Sequence, residues 1–212
     1  MPAALWDMDG TLIDSEDYHW RAWRDTMEHE GVPITHEHFV ATFGQRNDVI
    51  LPHWLGADAP AERIARVGDA KEALYRDLVR SGGITPLPGA AEWVRRLHAD
   101  GWRQAIASSA PRANVETIVE MLRLPFEVLV AAEDVRHGKP DPEVFLIAAA
   151  RLGVPPAECV VVEDAPAGIE AARRGGMRSI GVSRTKTLAA DLFAPTLADL
   201  PADAFTRLTN SH

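Results

Sequence analysis

Ala3-Ala4-Leu5-Trp6-Asp7-Met8-Asp9-Gly10-Thr11 is a run of four apolar residues that stops at an acid and enters a glycine-containing turn. Residues 104–107, 128–131 and 160–162 repeat the pattern, and 179–182 (Ser-Ile-Gly-Val) extends it. Each run is short and apolar on consecutive positions, as expected of strands covered on both faces. Helical patterns with recognisable ends lie between them. Residues 89–100 run up to Gly101, 141–152 up to Gly153, and 165–174 into Gly175-Gly176. Asp141-Pro142-Glu143 predicts a helix start with Asp141 as the cap and Pro142 as the first helical residue. Strands alternating with helices predict a parallel α/β sheet whose ligands sit at the carboxyl ends of the strands.

The stretch 15–83 reads differently. It shows helical spacing at Trp20, Trp23 and Met27, then at Ile64, Val67, Leu74 and Leu78, and is bounded by Ser81-Gly82-Gly83 and Pro86-Leu87-Pro88-Gly89. The organisation expected is an α/β core of residues 1–14 and 84–212, with a helical cap inserted at 15–83.

A net charge of −9 excludes a general nucleic-acid or anionic-membrane binder, and it requires any phosphate site to be locally positive. No leader-like segment or apolar stretch of about 18 residues is visible, so a cytoplasmic protein, with no membrane or nucleic-acid partner and acting as a monomer, is expected. The single cysteine, Cys159, reads as a buried strand thiol.

The chemistry concentrates behind the strands. Asp7 and Asp9 lie two positions apart at a strand end, so alternation points them the same way. Two such charges about 4 Å apart repel by roughly 4 kcal/mol near a protein surface, which asks for a cation. Taken alone, Asp-x-Asp-Gly fits a capped turn equally well. Glu163 and Asp164 follow the strand at 160–162 and converge on the same rim. Four acids without a built-in counter-charge suit a hard cation such as Mg²⁺. Ser108 ends the strand at 104–107, beside the amides that open the next helix, a natural phosphate cradle. Lys139, after the strand at 128–131, offers a positive charge. Alone, Ser108 reads as a helix cap and Lys139 as a surface lysine.

In this order the four motifs resemble the haloacid dehalogenase superfamily, over nearly the whole chain. The resemblance implies a Rossmann-like parallel sheet with an inserted α-helical cap. It implies Asp7 as nucleophile and Asp9 as the acid that protonates the leaving oxygen and later activates water. Ser108 and Lys139 would hold the phosphoryl group, with Ser109 beside them among the substrate-binding residues. Mg²⁺ would be held by the Asp7 side chain, the Asp9 backbone carbonyl and Asp164, with Glu163 at or just beyond the ion. Metal-free dehalogenases of the superfamily lack the second aspartate, so its presence argues against their chemistry.

Within the superfamily the chain is similar to the β-phosphoglucomutase-like branch. His19, in Asp17-Tyr18-His19-Trp20-Arg21-Ala22-Trp23, matches a segment at the start of the mutase cap and implies influence on Asp9. Lys71 lies three and four residues from Leu74 and Val67, on a stripe otherwise apolar. It matches a cap lysine that reaches the mutase active site, and Arg46 matches, with a one-residue gap, a cap arginine for a distal phosphate. Thr11-Leu12 and Ala110-Pro111-Arg112 depart from the mutase. The expected activity is hydrolysis of a small phosphorylated metabolite, a sugar phosphate or similar monoester. A sugar phosphomutase is the alternative, and a non-catalytic binding protein of the same fold a third. His36-Glu37-His38, with His29 and His53, is a weak metal signal read as exposed cap residues.

Overall fold

The structure is a computed structural model that describes residues 1–209. Six strands form one sheet: β1 (Ala3–Trp6), β2 (Arg103–Ala107), β3 (Val128–Val130), β4 (Cys159–Glu163), β5 (Arg178–Val182) and β6 (Leu192–Ala194). Their order is β3-β2-β1-β4-β5-β6, and every pairing is parallel. All residues of β1 and β4 are buried, as an interior parallel strand requires. The chain steps from β1 outward to one side and then returns to pair β4 on the other. The strand order therefore reverses at β1, the position where such sheets open a crevice at their carboxyl edge.

Two compact units are present: Met1–Asp14 with the chain from Thr85 onward, and Ser15–Ile84. The second is built from α1 (Glu16–His29), α2 (His36–Thr42), α3 (Asn47–Leu55) and α4 (Ala61–Gly82). Its core joins Trp23, Met27, Phe39, Ile50, Leu51 and Val67. Tyr18 ties α1 to the end of α4 by donating to the Gly83 carbonyl at 2.6 Å. The buried stripe of α4 is Val67, Gly68, Lys71, Glu72, Tyr75 and Val79, while Leu74 and Leu78 are only half-buried. The stripe thus runs to one side of the line that apolar spacing suggests, because it carries a buried charged pair. His29, His36, His38 and His53 are exposed.

The sheet is flanked by α5 (Ala90–Ala99), α6 (Arg112–Leu122), α7 (Glu143–Leu152), α8 (Pro166–Arg174) and α9 (Ala204–Thr209). On one face Leu5, Ala105, Ala107, Val130 and Val161 pack with Phe145, Ala148 and Leu152 of α7. Elsewhere Trp6, Trp93 and Trp102 gather around Phe205, with ring centroids 5.0–5.7 Å apart. The one buried polar side chain among the β2 residues, Gln104, is satisfied on both ends: it accepts from Trp6 Nε1 at 3.0 Å and donates to the Val94 carbonyl at 2.9 Å. Cys159 is buried, and burial pushes its thiol up to about 12, so it is inert at neutral pH.

One helix start is corrected. Helix α7 begins at Glu143, one residue late, with Pro142 rather than Asp141 at the cap position. Asp141 still accepts from the Glu143 amide at 3.0 Å, an Asx contact made from one residue further out. Strand β6, three residues long, has too little sequence to show a period.

Candidate active site

The parallel register puts Trp6 level with Ile106 and Val162, so the chain leaves β1, β2 and β4 along one edge. Asp7 adds one more rung, its amide donating to the Val162 carbonyl at 3.0 Å. The chain then turns tightly. The amides of Thr11, Leu12 and Ile13 all point at the Met8 carbonyl, at 3.4, 2.9 and 3.2 Å. Gly10 has φ +84°, and a Cβ there would stand 2.5 Å from Asp164 Oδ2, so only glycine lets this turn approach the acid. The Thr11 hydroxyl is buried in the turn with no hydrogen-bond partner among the described residues.

Lys139 is the hub. Its buried ammonium donates to Asp7 Oδ1 at 2.5 Å, Glu163 Oε1 at 2.8 Å and the Ala107 carbonyl at 3.1 Å, which uses all three N–H bonds. Burial alone would lower its pKa, but the charges of Asp7 and Glu163 outweigh this and raise it above the ordinary lysine range. Glu163 is full on both sides, because Oε2 also accepts from the Ala165 amide at 2.8 Å. Gly168, in the first turn of α8, lies where a Cβ would collide with the Glu163 carboxylate.

Carboxylate oxygens of Asp7, Glu163 and Asp164 all lie within 4.8 Å of one another. Burial pushes the Asp7 carboxyl well above its usual range; Lys139 opposes this, and Glu163 and Asp164 add to it. Asp164 is pushed up to about 7 by burial and by Glu163, against the pull of Lys186 and Lys139. Fully ionised, three crowded acids facing one ammonium would leave two negative charges in excess, a donor set that fits a divalent oxygen-seeking cation. Asp9 stands outside the trio; its half-buried residue lies in the turn, beyond the end of β1, where strand alternation no longer governs direction.

Asp164 keeps its proton to about pH 7 in the fold but releases it near pH 4 in the unfolded chain. Between those values the native state binds more protons, so the stability of the metal-free protein falls as pH rises from about 4 to 7. Asp164→Asn is expected to flatten that slope and to gain on the order of 1–2 kcal/mol at pH 8. Denaturant titrations in chelator at pH 5 and pH 8 read it; equal stability of both proteins at pH 8 would contradict the assignment.

Ser108 is buried at the end of β2, its amide on the Val130 carbonyl and its Oγ accepting from the Ala110 amide at 3.1 Å. Ser109 beside it is half-buried. The helix-opening cradle is not built as the sequence suggests. Helix α6 starts only at Arg112, with Pro111 at its cap, and the Arg112 amide donates to the Glu133 carboxylate at 2.9 and 3.1 Å. A side chain already caps that helix, which leaves the Ser108 hydroxyl and its loop as the polar groups at this strand end.

The helical unit has its own polar cluster. Lys71 Nζ lies 2.9 Å from His19 Nδ1 and 2.8 Å from Glu72 Oε1, and Asn47 donates to the same Glu72 oxygen at 2.8 Å. His19 stacks on Tyr75 with centroids 4.0 Å apart, and Lys71 sits 4.8 Å over the Trp23 ring. Burial works against the Glu72 charge, but Lys71 and His19 hold it below the usual carboxylate range. The anion met by Lys71 is therefore its own neighbour, Glu72, which the apolar spacing of the helix does not mark as buried. Arg46, at the cap of α3, pairs with Asp48 at 3.0 Å. Glu72→Gln, which keeps the shape and removes the charge, is expected to cost about 2 kcal/mol in chemical denaturation; a change below about 0.5 kcal/mol would count against the cluster.

An acid just past the tip of β1, a strand-end serine, a lysine clamped to that acid and an acidic pair at the end of β4 form a recognisable order. The family of haloacid dehalogenase-like hydrolases matches residues 1–176. The chain belongs to this family. Protein CbbY of Rhodobacter capsulatus is 34% identical, over 85% of this chain and 84% of its own. Hexitol phosphatase B of Escherichia coli K12 is 35% identical, over 98% of this chain and 94% of its own. A β-phosphoglucomutase from Clostridium difficile superposes with a TM-score of 0.87 at 25% identity, covering 99% of this chain and 97% of that one. The α/β core with an inserted helical unit is thus the haloacid dehalogenase-like fold in its β-phosphoglucomutase-like form. No helix among the described residues is long and apolar enough to cross a membrane.

Proposed function

We propose that the protein is a magnesium-dependent phosphatase that hydrolyses a small phosphomonoester, a sugar or polyol phosphate, through a phosphorylated Asp7. The observation that carries this is the clamp of Lys139 on Asp7 within a trio of buried acids. Relatives named as hexitol phosphatase and fructose-1-phosphate phosphatase support the substrate class.

Asp7 and Asp164 would hold Mg²⁺ with the Asp9 backbone carbonyl, and Glu163, both of whose oxygens accept hydrogen bonds, would act from behind by fixing Lys139. When bound, the ion offsets the negative charge of the acids and of the ester, so that one anion can approach another. One Asp7 oxygen bonds phosphorus as the bond to the leaving oxygen breaks, and Asp9 gives that oxygen its proton. Lys139 balances the phosphoryl oxygens, and the Ser108 hydroxyl donates to one of them. Asp9 then takes a proton from water, whose oxygen displaces Asp7 from phosphorus and frees inorganic phosphate. Magnesium-dependent release of phosphate from p-nitrophenyl phosphate and from a panel of sugar phosphates tests the reading; a purified protein inactive on all of them would end it.

The superposition on a β-phosphoglucomutase favours a second reading, a sugar phosphomutase, in which Arg46, Lys71 and His19 of the helical unit serve the substrate. Incubation with β-glucose 1-phosphate and a bisphosphate activator then yields glucose 6-phosphate. Free phosphate as the sole product excludes it.

A further inference from the structure

The chain contains three lysines. Lys71 and Lys139 are buried against carboxylates. Lys186 is exposed, as is Arg184, and neither makes an ion pair among the described residues. Both lie in the segment that follows β5. The register sets Gly181 opposite Glu163, so the chain leaving Val182 emerges on the edge that carries Glu163 and Asp164. The segment is shaped and anchored. The Ser183 amide donates to the Ala194 carbonyl at 3.2 Å, and its Oγ accepts from the amides of Thr185 and Lys186, each at 3.3 Å. Leu188, just beyond, is buried. The Lys186 charge is near enough to act on Asp164, where it opposes the effect of burial and of Glu163.

A rim of acids in a chain of net charge −9 repels the anionic ester it is meant to receive. A fixed, solvated positive charge on the same edge answers this. We propose that Lys186, with Arg184, steers anionic esters to the Asp7 rim and favours those with a second anionic group. The proposal rests on the phosphatase reading of that rim. A charge that draws in an anion must also oppose a cation, so the same residue weakens metal binding, and the two effects have opposite signs.

Lys186→Gln and Arg184→Gln test it on the full chain. Both positions are exposed, so folding is preserved. For Lys186→Gln at low salt, kcat/KM for p-nitrophenyl phosphate is expected to fall about three- to fivefold, and for a sugar bisphosphate about tenfold or more. The deficit closes at about 0.5 M salt, while Mg²⁺ affinity by calorimetry rises about twofold. Lys186→Arg keeps the parent values. A salt-independent loss, equal losses on the two esters, or unchanged Mg²⁺ affinity would overturn the proposal. If the parent releases no phosphate from any ester, the phosphatase reading fails. Calorimetric affinities for Mg²⁺ and inorganic phosphate then still decide the role of Lys186, which is upheld by a rise in the first with a fall in the second and refuted otherwise.

Discussion

Asp7→Asn is expected to lower kcat on p-nitrophenyl phosphate by at least about 10³-fold, as deletion of an attacking group does elsewhere. The amide keeps the size and planarity of the carboxylate but cannot form the bond to phosphorus. Folding is not at risk, since burial already disfavours the Asp7 charge and Glu163 keeps a hold on Lys139. Stability in chelator should therefore hold or rise at pH 8, and that pairing separates lost chemistry from lost structure. A decrease of less than about tenfold would remove Asp7 from the role of nucleophile.

Lys139→Met should damage both properties. Methionine fills much of the same space, yet it leaves Asp7 and Glu163 buried without their ammonium. Breaking a buried pair in this way costs about 3–5 kcal/mol. The cost should be greatest at pH 8 and shrink towards pH 5, because the orphaned carboxyls, with pKa values driven higher still, then take up protons. Mg²⁺ should restore part of the stability. On the proposed mechanism, in which Lys139 balances the phosphoryl oxygens, kcat/KM should fall by about 10²–10³. A Lys139→Met protein that unfolds at the parent's denaturant midpoint at pH 8 would show that the clamp contributes nothing.

Much of this was legible in the sequence because parallel strands buried on both faces are written as uninterrupted apolar runs. Acids and a serine placed directly behind three such runs have nowhere to go but one edge, and the lysine follows a fourth at a distance of several residues. What depended on atomic detail was harder to read. The Asp7–Asp9 pair looked like the crowded acids, yet the crowding falls on Asp7, Glu163 and Asp164, because the strand ends before Asp9. The opening of α6 looked available to an anion until Glu133, distant in sequence, proved to cap it. Lys71 looked like an unanswered charge, because apolar spacing hid Glu72 on the same stripe. Lys186 gave no signal, as an exposed loop lysine is informative only once the strand register shows which edge it occupies.

Gly168 shows how far a missing atom can reach. It touches no reacting group, yet the room it leaves is filled by Glu163, which grips Lys139, which grips Asp7. A methyl group there would push on a lever with its far end at Asp7, just past the end of the neighbouring strand β1. A survey that ranks positions by the contacts they make would pass over this one, since its contribution is the space it declines to occupy.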